Sequence, residues 1–391
     1  MKVVLLPTPP PTIISGVSTH VSMLARGLAA LWHEVMVIET NPPEIIRLLL
    51  IRGPETVISW LSLYGSRRYR RWVEDGLYLF QVLWKTGGSF AVLNLQNIRH
   101  AGIGKWLQRW CNCAVVATVH GYLTFEAETD KWCSVGDRTQ RWLWRTETTG
   151  YEKMDAIICV AEKTKKYVSQ FTAKPIAVIP NGLDTDLFCP RQTQQYRNRV
   201  TILFSGAIQK AKGIMTALEA LDLLIKQGKA IQLRIAGKGD QLAEVEQFIQ
   251  ERNLMEQVEL LGFVAKQDMP DFYRSGEILL FPSQAAGVSG VSEESFPYAV
   301  LEAMACGVAV VAFETGGLRE QVRDGMDGYL VQPGDMEGLT QALAKLIDDP
   351  ALRKRMGENA RNQCAGNFSH IQMARQFLRI FAQVHSSENR D

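Results

Sequence analysis

The sequence contains neither a long apolar run nor an excess of charge of one sign. Its longest apolar stretch, residues 303–313, has a glutamate on each side and is far shorter than the roughly 18 residues of a membrane-spanning helix. Lysine and arginine number 43 against 41 for aspartate and glutamate, which argues against general nucleic-acid binding. The apolar run before the first prolines is too short for a signal peptide. These absences predict a cytoplasmic protein with no nucleic-acid partner.

Cysteine pairs with metal-ligand spacing are also missing. The seven cysteines are scattered, and the one close pair, Cys111 and Cys113, has C-x-C spacing with no matching second pair. Buried or unreactive thiols in a reducing compartment are the better interpretation. We therefore expect no zinc site.

The composition instead favours a globular protein with two or three domains. The chain has 391 residues, of which 46% are apolar and 21% charged. The net charge of +2 conceals a gradient, because residues 1–190 carry +5 and the remainder −3. All nine tryptophans lie between Trp32 and Trp144. The two halves of the chain therefore differ in character.

Short apolar runs alternate with helical patterns along both halves. Residues 3–6, 17–31 and 34–38 read as a strand, a helix and a second strand, which is a βαβ unit. The polar stretch 190–199 is the best linker candidate. This alternation predicts two doubly wound, Rossmann-like α/β domains of parallel sheet that face a central cleft. The further predicted strands are 90–95, 114–119, 155–160, 176–179, 200–204, 231–236, 257–261, 277–281 and 308–313.

The most informative segment is EESFPYAVLEAMACGVAVVAF, residues 293–313. Pro297 suits the first position of a helix, where the N–H that proline lacks would have no partner. A phosphate or diphosphate is attracted to the N–H groups at such an end, here those of Tyr298, Ala299 and Val300. Glu294 before the helix and Glu302 within it could hold sugar hydroxyls on either side of a diphosphate. The alternative is that both glutamates are solvated or cap the helix.

Residues 281–335 as a whole resemble a family 4 glycosyltransferase. The resemblance extends to SGVSTHVSMLARGLAALWHEVMVIE, TVHG, IPNGLDTDLF and FSGAIQKAKGI, which begin at residues 15, 118, 179 and 204. It implies the GT-B fold of two Rossmann-like domains and a nucleotide-diphosphate sugar donor whose anomeric configuration is retained. It also implies an acceptor-binding domain (1–188), a nucleotide-sugar-binding domain (189–368) and a C-terminal helix that crosses back to the first domain (369–391).

The resemblance assigns roles to individual residues. Glu302 would accept hydrogen bonds from the ribose, Glu294 would contact the donor sugar, and Lys212 would stabilise charge on the diphosphate. His120, at the end of a predicted strand, would contact the donor sugar; a lone histidine is otherwise more often structural. The remaining positions expected at the donor are Gly16, Gly206, Lys210, Gly237, Lys238, Phe296, Pro297, Tyr298, Ala299 and Val300.

The chain departs from the family pattern at two places. Ser15 precedes Gly16 where the family usually has two glycines, and Ala207 stands where an arginine commonly follows the loop glycine. Lys210 is a candidate to supply the missing positive charge.

Two short motifs have competing interpretations. Asp184-Thr185-Asp186 has the D-x-D form of metal-dependent glycosyltransferases of another fold, but its setting after IPNG matches the GT-B domain junction, so we expect no metal there. Gly237-Lys238-Gly239 follows a predicted strand and is a candidate for the base or phosphate pocket.

Basic and aromatic residues are interleaved in residues 60–85, for example in the run RRYRRW. Such a segment can hold a helix on an anionic membrane surface. An ordinary core-packed helix and an acceptor-binding helix are the alternatives.

Together these features predict a retaining, metal-independent hexosyltransferase that uses a UDP-sugar and needs no cofactor. The acceptor is an unidentified glycan, lipid or small molecule, and the location is cytoplasmic or peripheral at the inner face of a membrane. The alternatives are a GT-B sugar-nucleotide epimerase or hydrolase, and a sugar-nucleotide-binding protein without transferase activity.

Overall fold

A computed structural model describes residues 1–7, 16–38, 63–123, 138–191, 199–284 and 294–388, without the side chains of residues 63–74 and 387–388. Ser15, Trp60, the middle of the predicted linker and most of the loop 283–292 lie outside the described residues. By packing, the chain divides into a first unit of residues 1–182 and 370–391 and a second unit that begins at Leu183 and ends at Ser369.

The first unit contains a six-stranded sheet whose paired strands are all parallel, in the order β2-β1-β3-β4-β5-β6. Its strands are β1 (Lys2–Leu6), β2 (Glu34–Val37), β3 (Val92–Leu95), β4 (Ala114–Val119), β5 (Ala156–Cys159) and β6 (Ile176–Val178). Its helices are α1 (Gly16–Ala30), α2 (Leu63–Thr86), α3 (Ala101–Cys111), α4 (Arg138–Tyr151) and α5 (Glu162–Val168).

The second unit contains a second six-stranded parallel sheet, in the order β12-β11-β10-β7-β8-β9. Its strands are β7 (Val200–Ser205), β8 (Ile231–Ala236), β9 (Val258–Gly262), β10 (Ile278–Phe281), β11 (Ala309–Phe313) and β12 (Gly328–Val331). Its helices are α6 (Ile214–Lys226), α7 (Leu242–Glu251), α8 (Met269–Tyr273), α9 (Tyr298–Ala305), α10 (Leu318–Gln321), α11 (Met336–Asp348) and α12 (Pro350–Asn367).

The central strands are buried on both faces, as the continuous apolar runs predicted. Every residue of β3, β4, β10 and β11 is buried, because helices cover both sides of a parallel sheet. The prediction of two doubly wound Rossmann-like domains is confirmed. Sequence analysis missed β12, a four-residue edge strand whose last three residues are only half-buried, so it has no long apolar run.

The last helix, α13 (His370–Glu388), belongs to the first unit and packs against α1. A Cβ added at Gly27 of α1 would lie 2.4 Å from the His370 carbonyl oxygen and 2.8 Å from the Ala374 Cβ. Gly27 therefore lets the two helix backbones approach closely. The Phe377 and Phe381 side chains of α13 are fully buried.

Within the described residues, none of the helices combines the length and the apolar character that crossing a membrane requires.

Candidate active site

Lys212 and Glu294 form an ion pair in the second unit, although 82 positions separate them in the sequence. Lys212 lies on a single 3₁₀ turn, Lys210–Lys212, that follows β7, and Glu294 lies just before α9. The Ser283 hydroxyl donates to Glu294 Oε1 at 3.2 Å and lies 3.1 Å from the Ala211 carbonyl oxygen. The two residues that were predicted to hold the diphosphate and the donor sugar are thus brought together, with Ser283 as an additional partner.

Two glycines with positive φ make this arrangement possible. Gly213 has a φ of +72°, and a Cβ there would lie 2.0 Å from the Pro282 carbonyl oxygen. Gly316 has a φ of +57°, and a Cβ there would lie 1.7 Å from the Glu294 carbonyl oxygen. The next residue, Gly317, donates its N–H to that same oxygen at 2.9 Å. A side chain at either glycine would push the backbone of the Lys212–Glu294 pair apart.

Helix α9 begins one residue later than predicted. Pro297 is its N-cap, with an extended ψ of 130°, rather than its first helical residue. The Pro297 carbonyl accepts a hydrogen bond from Gln321 Nε2 at 3.1 Å, which fixes the approach to the helix. Phe296 is buried against Phe368, with ring centroids 5.4 Å apart, so its side chain packs in the core. This turn leads directly into α9, so it sets the position of the N–H groups at the start of the helix.

Glu302 lies within α9 and is half-buried. Burial raises the pKa of Glu302 to about 7, although a hydrogen bond with Tyr273 and the positive charge of Lys266 both act to lower it. The Tyr273 hydroxyl also lies 3.1 Å from Ser205 Oγ at the end of β7. Burial and the neighbouring Glu302 hold the pKa of Tyr298 well above its usual range. A carboxyl group kept at this energetic cost is typical of a binding site.

The loop after β7 packs closely against Gly237-Lys238-Gly239. A Cβ at Gly237 would lie 1.9 Å from the Gly206 carbonyl oxygen, and one at Gly239 would lie 2.1 Å from that of Ile208. These glycines therefore allow two loops at the carboxyl ends of β7 and β8 to touch. The side chains of Lys210 and Lys238 are exposed.

His120 directly follows β4 in the first unit. Its Nε2 lies 2.8 Å from Gln96 Oε1. The His20 ring meets it edge to face, with centroids 4.6 Å apart. Burial, and to a smaller extent His20, hold the pKa of His120 well below its usual range, so the ring is neutral at pH 7. Burial also lowers the pKa of His20 to about 4, and His20 Nδ1 lies 2.9 Å from Asn181 Oδ1.

The D-x-D motif forms a turn. The buried Asp184 carboxylate accepts the N–H groups of Asp186 and Leu187, each at 3.1 Å. Among the described residues, no group of three or more histidine, cysteine, aspartate or glutamate side chains is placed to hold a metal ion.

Sequence reasoning missed several polar residues beside the predicted ones. They are His20, Asn94, Gln96, Thr118, Asn181, Ser205, Tyr273 and Ser283. The available signal was the buried apolar run VLNLQ, since amides inside a parallel strand must find partners. Gly16 is the exposed first residue of α1, and the rest of its loop lies outside the described residues.

Two doubly wound domains, one with a lysine–glutamate pair and a half-buried glutamate in the helix that follows it, define a protein of the GT-B type. Residues 14–187 match the model of Glycosyltransferase Family 4, and residues 189–363 match that of glycosyl transferases group 1. The chain therefore belongs to the family 4 glycosyltransferases, and the predicted family and enzyme class are confirmed.

Full-length relatives support this assignment. The chain is 26% identical over 379 residues to phosphatidyl-myo-inositol mannosyltransferase of Mycobacterium leprae, covering 95% of this chain and 94% of that protein. Its fold is similar to that of Anabaena HepE in complex with UDP, with a TM-score of 0.71, 18% identity and coverage of 98% and 100%. It is also similar to sucrose-phosphate synthase from Thermosynechococcus elongatus, with a TM-score of 0.73, 20% identity and coverage of 99% and 100%.

Proposed function

We propose that this glycosyltransferase transfers a hexose from a UDP-sugar to an acceptor with retention of the anomeric configuration. The observation that carries the proposal is the Lys212–Glu294 pair beside the start of α9. A mobile cation, a carboxylate for sugar hydroxyls and a helix N-terminus are together suited to a sugar diphosphate. The Anabaena relative in fold has been crystallised with UDP and with UDP-glucose, which supports the choice of base.

The proposed mechanism assigns charge stabilisation and positioning to the protein. Lys212 stabilises the negative charge that develops on the leaving diphosphate, and Glu302 accepts hydrogen bonds from the ribose. The diphosphate then helps to deprotonate the acceptor on the same face of the sugar, through an oxocarbenium-like transition state. No protein nucleophile, metal or cofactor takes part in this scheme.

A screen of nucleotide sugars by thermal shift, followed by measurement of UDP release, tests this function. We expect a UDP-sugar to raise the melting temperature, because a ligand that binds only the folded state stabilises it. UDP release should then require the acceptor. Release without acceptor would instead indicate a hydrolase, and conversion of the sugar without net UDP release would indicate an epimerase. Binding of the donor without any turnover would indicate a sugar-nucleotide-binding protein without transferase activity.

We also propose that the first unit docks on an anionic membrane surface. Trp106 and Trp110 of α3 are stacked, with centroids 5.0 Å apart, and Trp110 is 72% exposed. Lys105 and Arg109 precede them on the same helix. Exposed indoles beside basic side chains match the interface between lipid headgroups and acyl chains.

Helix α2 carries a second such group within the predicted segment 60–85. Its Phe80 and Trp84 side chains are 64% and 74% exposed and stack on each other, and Lys85 follows. Phe80 and Trp84 therefore do not pack in the core, whereas the core-packed alternative for Trp60, Tyr64, Tyr69 and Trp72 falls on side chains outside the described ones. The structure does not describe the side chains of the four arginines in this segment, Arg67, Arg68, Arg70 and Arg71.

Co-sedimentation with vesicles checks the membrane proposal. We expect stronger binding to anionic than to neutral vesicles. The double variant Trp106→Ala/Trp110→Ala should lower the partition coefficient by about tenfold or more, since each indole loses apolar burial. Phe263→Ala, an exposed aromatic residue of the second unit, is the matched control. Equal binding to neutral and anionic vesicles would exclude the membrane proposal.

A further inference from the structure

His120 is hydrogen-bonded to a row of two buried amides, Asn94 and Gln96. Asn94 and Gln96 lie at the end of β3 and are 0% and 2% exposed. Asn94 Nδ2 lies 3.3 Å from the Val116 carbonyl oxygen and 2.9 Å from Thr118 Oγ1. Gln96 Nε2 contacts Asn94 Oδ1, and Gln96 Oε1 lies 2.8 Å from His120 Nε2.

The Val116 carbonyl fixes the direction of every hydrogen bond in this row. A carbonyl oxygen only accepts, so the Asn94 side chain must direct its NH₂ group toward Val116. Asn94 Oδ1 then faces Gln96 and accepts from its NH₂ group. The other end of the Gln96 amide is its carbonyl oxygen, and this oxygen faces His120. His120 Nε2 must therefore carry a hydrogen.

The second ring nitrogen of His120 is left as an acceptor. The ring is neutral at pH 7, because burial holds the pKa of His120 well below its usual range. A neutral imidazole has one N–H and one lone pair, so the lone pair lies on Nδ1. Among the described residues, the titratable group that faces His120 is His20 of α1, and it is neutral as well.

We propose that Gln96, held by Asn94, is a positioning residue that locks His120 in its Nε2–H tautomer. Nδ1 then presents a lone pair to a hydroxyl group of the bound sugar. The consequence for sugar binding rests on the proposed function, whereas the tautomer is a property of the free protein. The sequence-based assignment of His120 specified neither the tautomer nor the residue that sets it.

Nuclear magnetic resonance of protein labelled with ¹⁵N-histidine tests the tautomer directly. We expect the His120 ring to show the Nε2–H pattern, with the signal assigned by its loss in His120→Gln. Gln96→Met keeps a similar shape but removes the acceptor, and should give a mixture of tautomers. Asn97→Ala is the control, because Asn97 caps the Arg99 N–H outside the row. An Nδ1–H tautomer in the wild type, or an unchanged tautomer in Gln96→Met, would overturn the proposal.

Kinetics separate positioning from a merely structural role. We expect Gln96→Met to lower kcat by about 10- to 100-fold, the usual effect of removing a partner that orients a reactive side chain, with a smaller change in the KM of the donor. Gln96→Glu keeps an acceptor but adds a negative charge, which raises the pKa of His120. Its activity should fall as the pH drops through the raised pKa, because the protonated ring has no lone pair. A wild-type kcat in Gln96→Met together with an unchanged pH profile in Gln96→Glu would contradict positioning by Gln96.

The tautomer measurement and the transfer assay test the two proposals independently. A correct tautomer in a protein that transfers no sugar would refute the proposed function and leave the row of hydrogen bonds intact. Normal transfer together with the wrong tautomer would refute only the role of Gln96.

Discussion

Replacing Glu302 by glutamine is expected to stabilise the free protein at pH 8 and to weaken donor binding in the same variant. Burial raises the pKa of Glu302 from 4.5 to about 7. The folded state therefore holds the proton more tightly than the unfolded state does. As the pH rises from about 4.5 to about 7, the unfolded chain loses this proton first, and Glu302 makes folding progressively less favourable.

The size of the effect follows from the shift. At about 1.4 kcal/mol per pH unit, the ionised carboxylate costs on the order of 3 kcal/mol above pH 7. Glutamine keeps the shape and can still hydrogen-bond to Tyr273, but it carries no charge to bury. For a domain of this size, melting temperature changes by about 2–4 °C per kcal/mol, so we expect a gain of roughly 6–12 °C at pH 8. Near pH 4.5 the gain should vanish.

Thermal melting at pH 4.5 and pH 8 measures the change in stability, and titration with the donor measures the change in binding. If Glu302 accepts hydrogen bonds from the ribose as proposed, loss of its charge should raise the KM of the donor by about 10- to 100-fold, since such hydrogen bonds contribute roughly 1.5–3 kcal/mol. Glu246→Gln, at an exposed position of α7, is the control and should change neither quantity. A variant that melts at the wild-type temperature at pH 8 would show that Glu302 is not destabilising, and unchanged donor affinity would remove it from the site.

The sheets were predictable from sequence because burial on both faces leaves a simple pattern. Strands such as 114–119 and 231–236 were predicted to the residue, since parallel strands covered by helices are continuous apolar runs between polar loops. β12 was missed because an edge strand needs no such run. The strand order depends on which strands pair across the sheet, and sequence spacing carries no information about that.

The residues of the candidate site were predictable from local motifs, both on loops and at the start of α9. Lys212 and Glu294 were each found, but their pairing and the presence of Ser283 depend on where two distant loops meet. The pKa of Glu302 is raised by burial and lowered in part by a hydrogen bond with Tyr273, which lies 29 positions earlier and belongs to another helix. Packing against residues distant in sequence creates these properties, so local patterns do not contain them.

Lys212→Ala and Glu294→Gln are each expected to reduce kcat/KM by about 100-fold or more. In the proposed mechanism Lys212 is the cation that stabilises charge on the leaving diphosphate, and removing one preorganised donor costs about 10²–10³ in rate. Glu294→Gln keeps the size of the side chain but loses the negative charge that orders Lys212 and accepts from Ser283. Steady-state rates of UDP release at saturating acceptor measure both effects.

The double variant decides whether the two residues act as one unit. Lys212 and Glu294 are paired in the free protein, and the effects of substituting residues in contact are not additive. We therefore expect the fold-loss of kcat/KM in the double variant to be clearly smaller than the product of the two single fold-losses. Lys229→Ala is the matched control, because it removes a lysine paired with Asp348 in the same unit. It should leave the rate near that of the wild type, because a surface ion pair worth up to about 1 kcal/mol contributes to stability and not to the transition state. Transfer at the wild-type rate in both single variants would refute the site, and fully multiplicative losses would mean that Lys212 and Glu294 act on the donor independently.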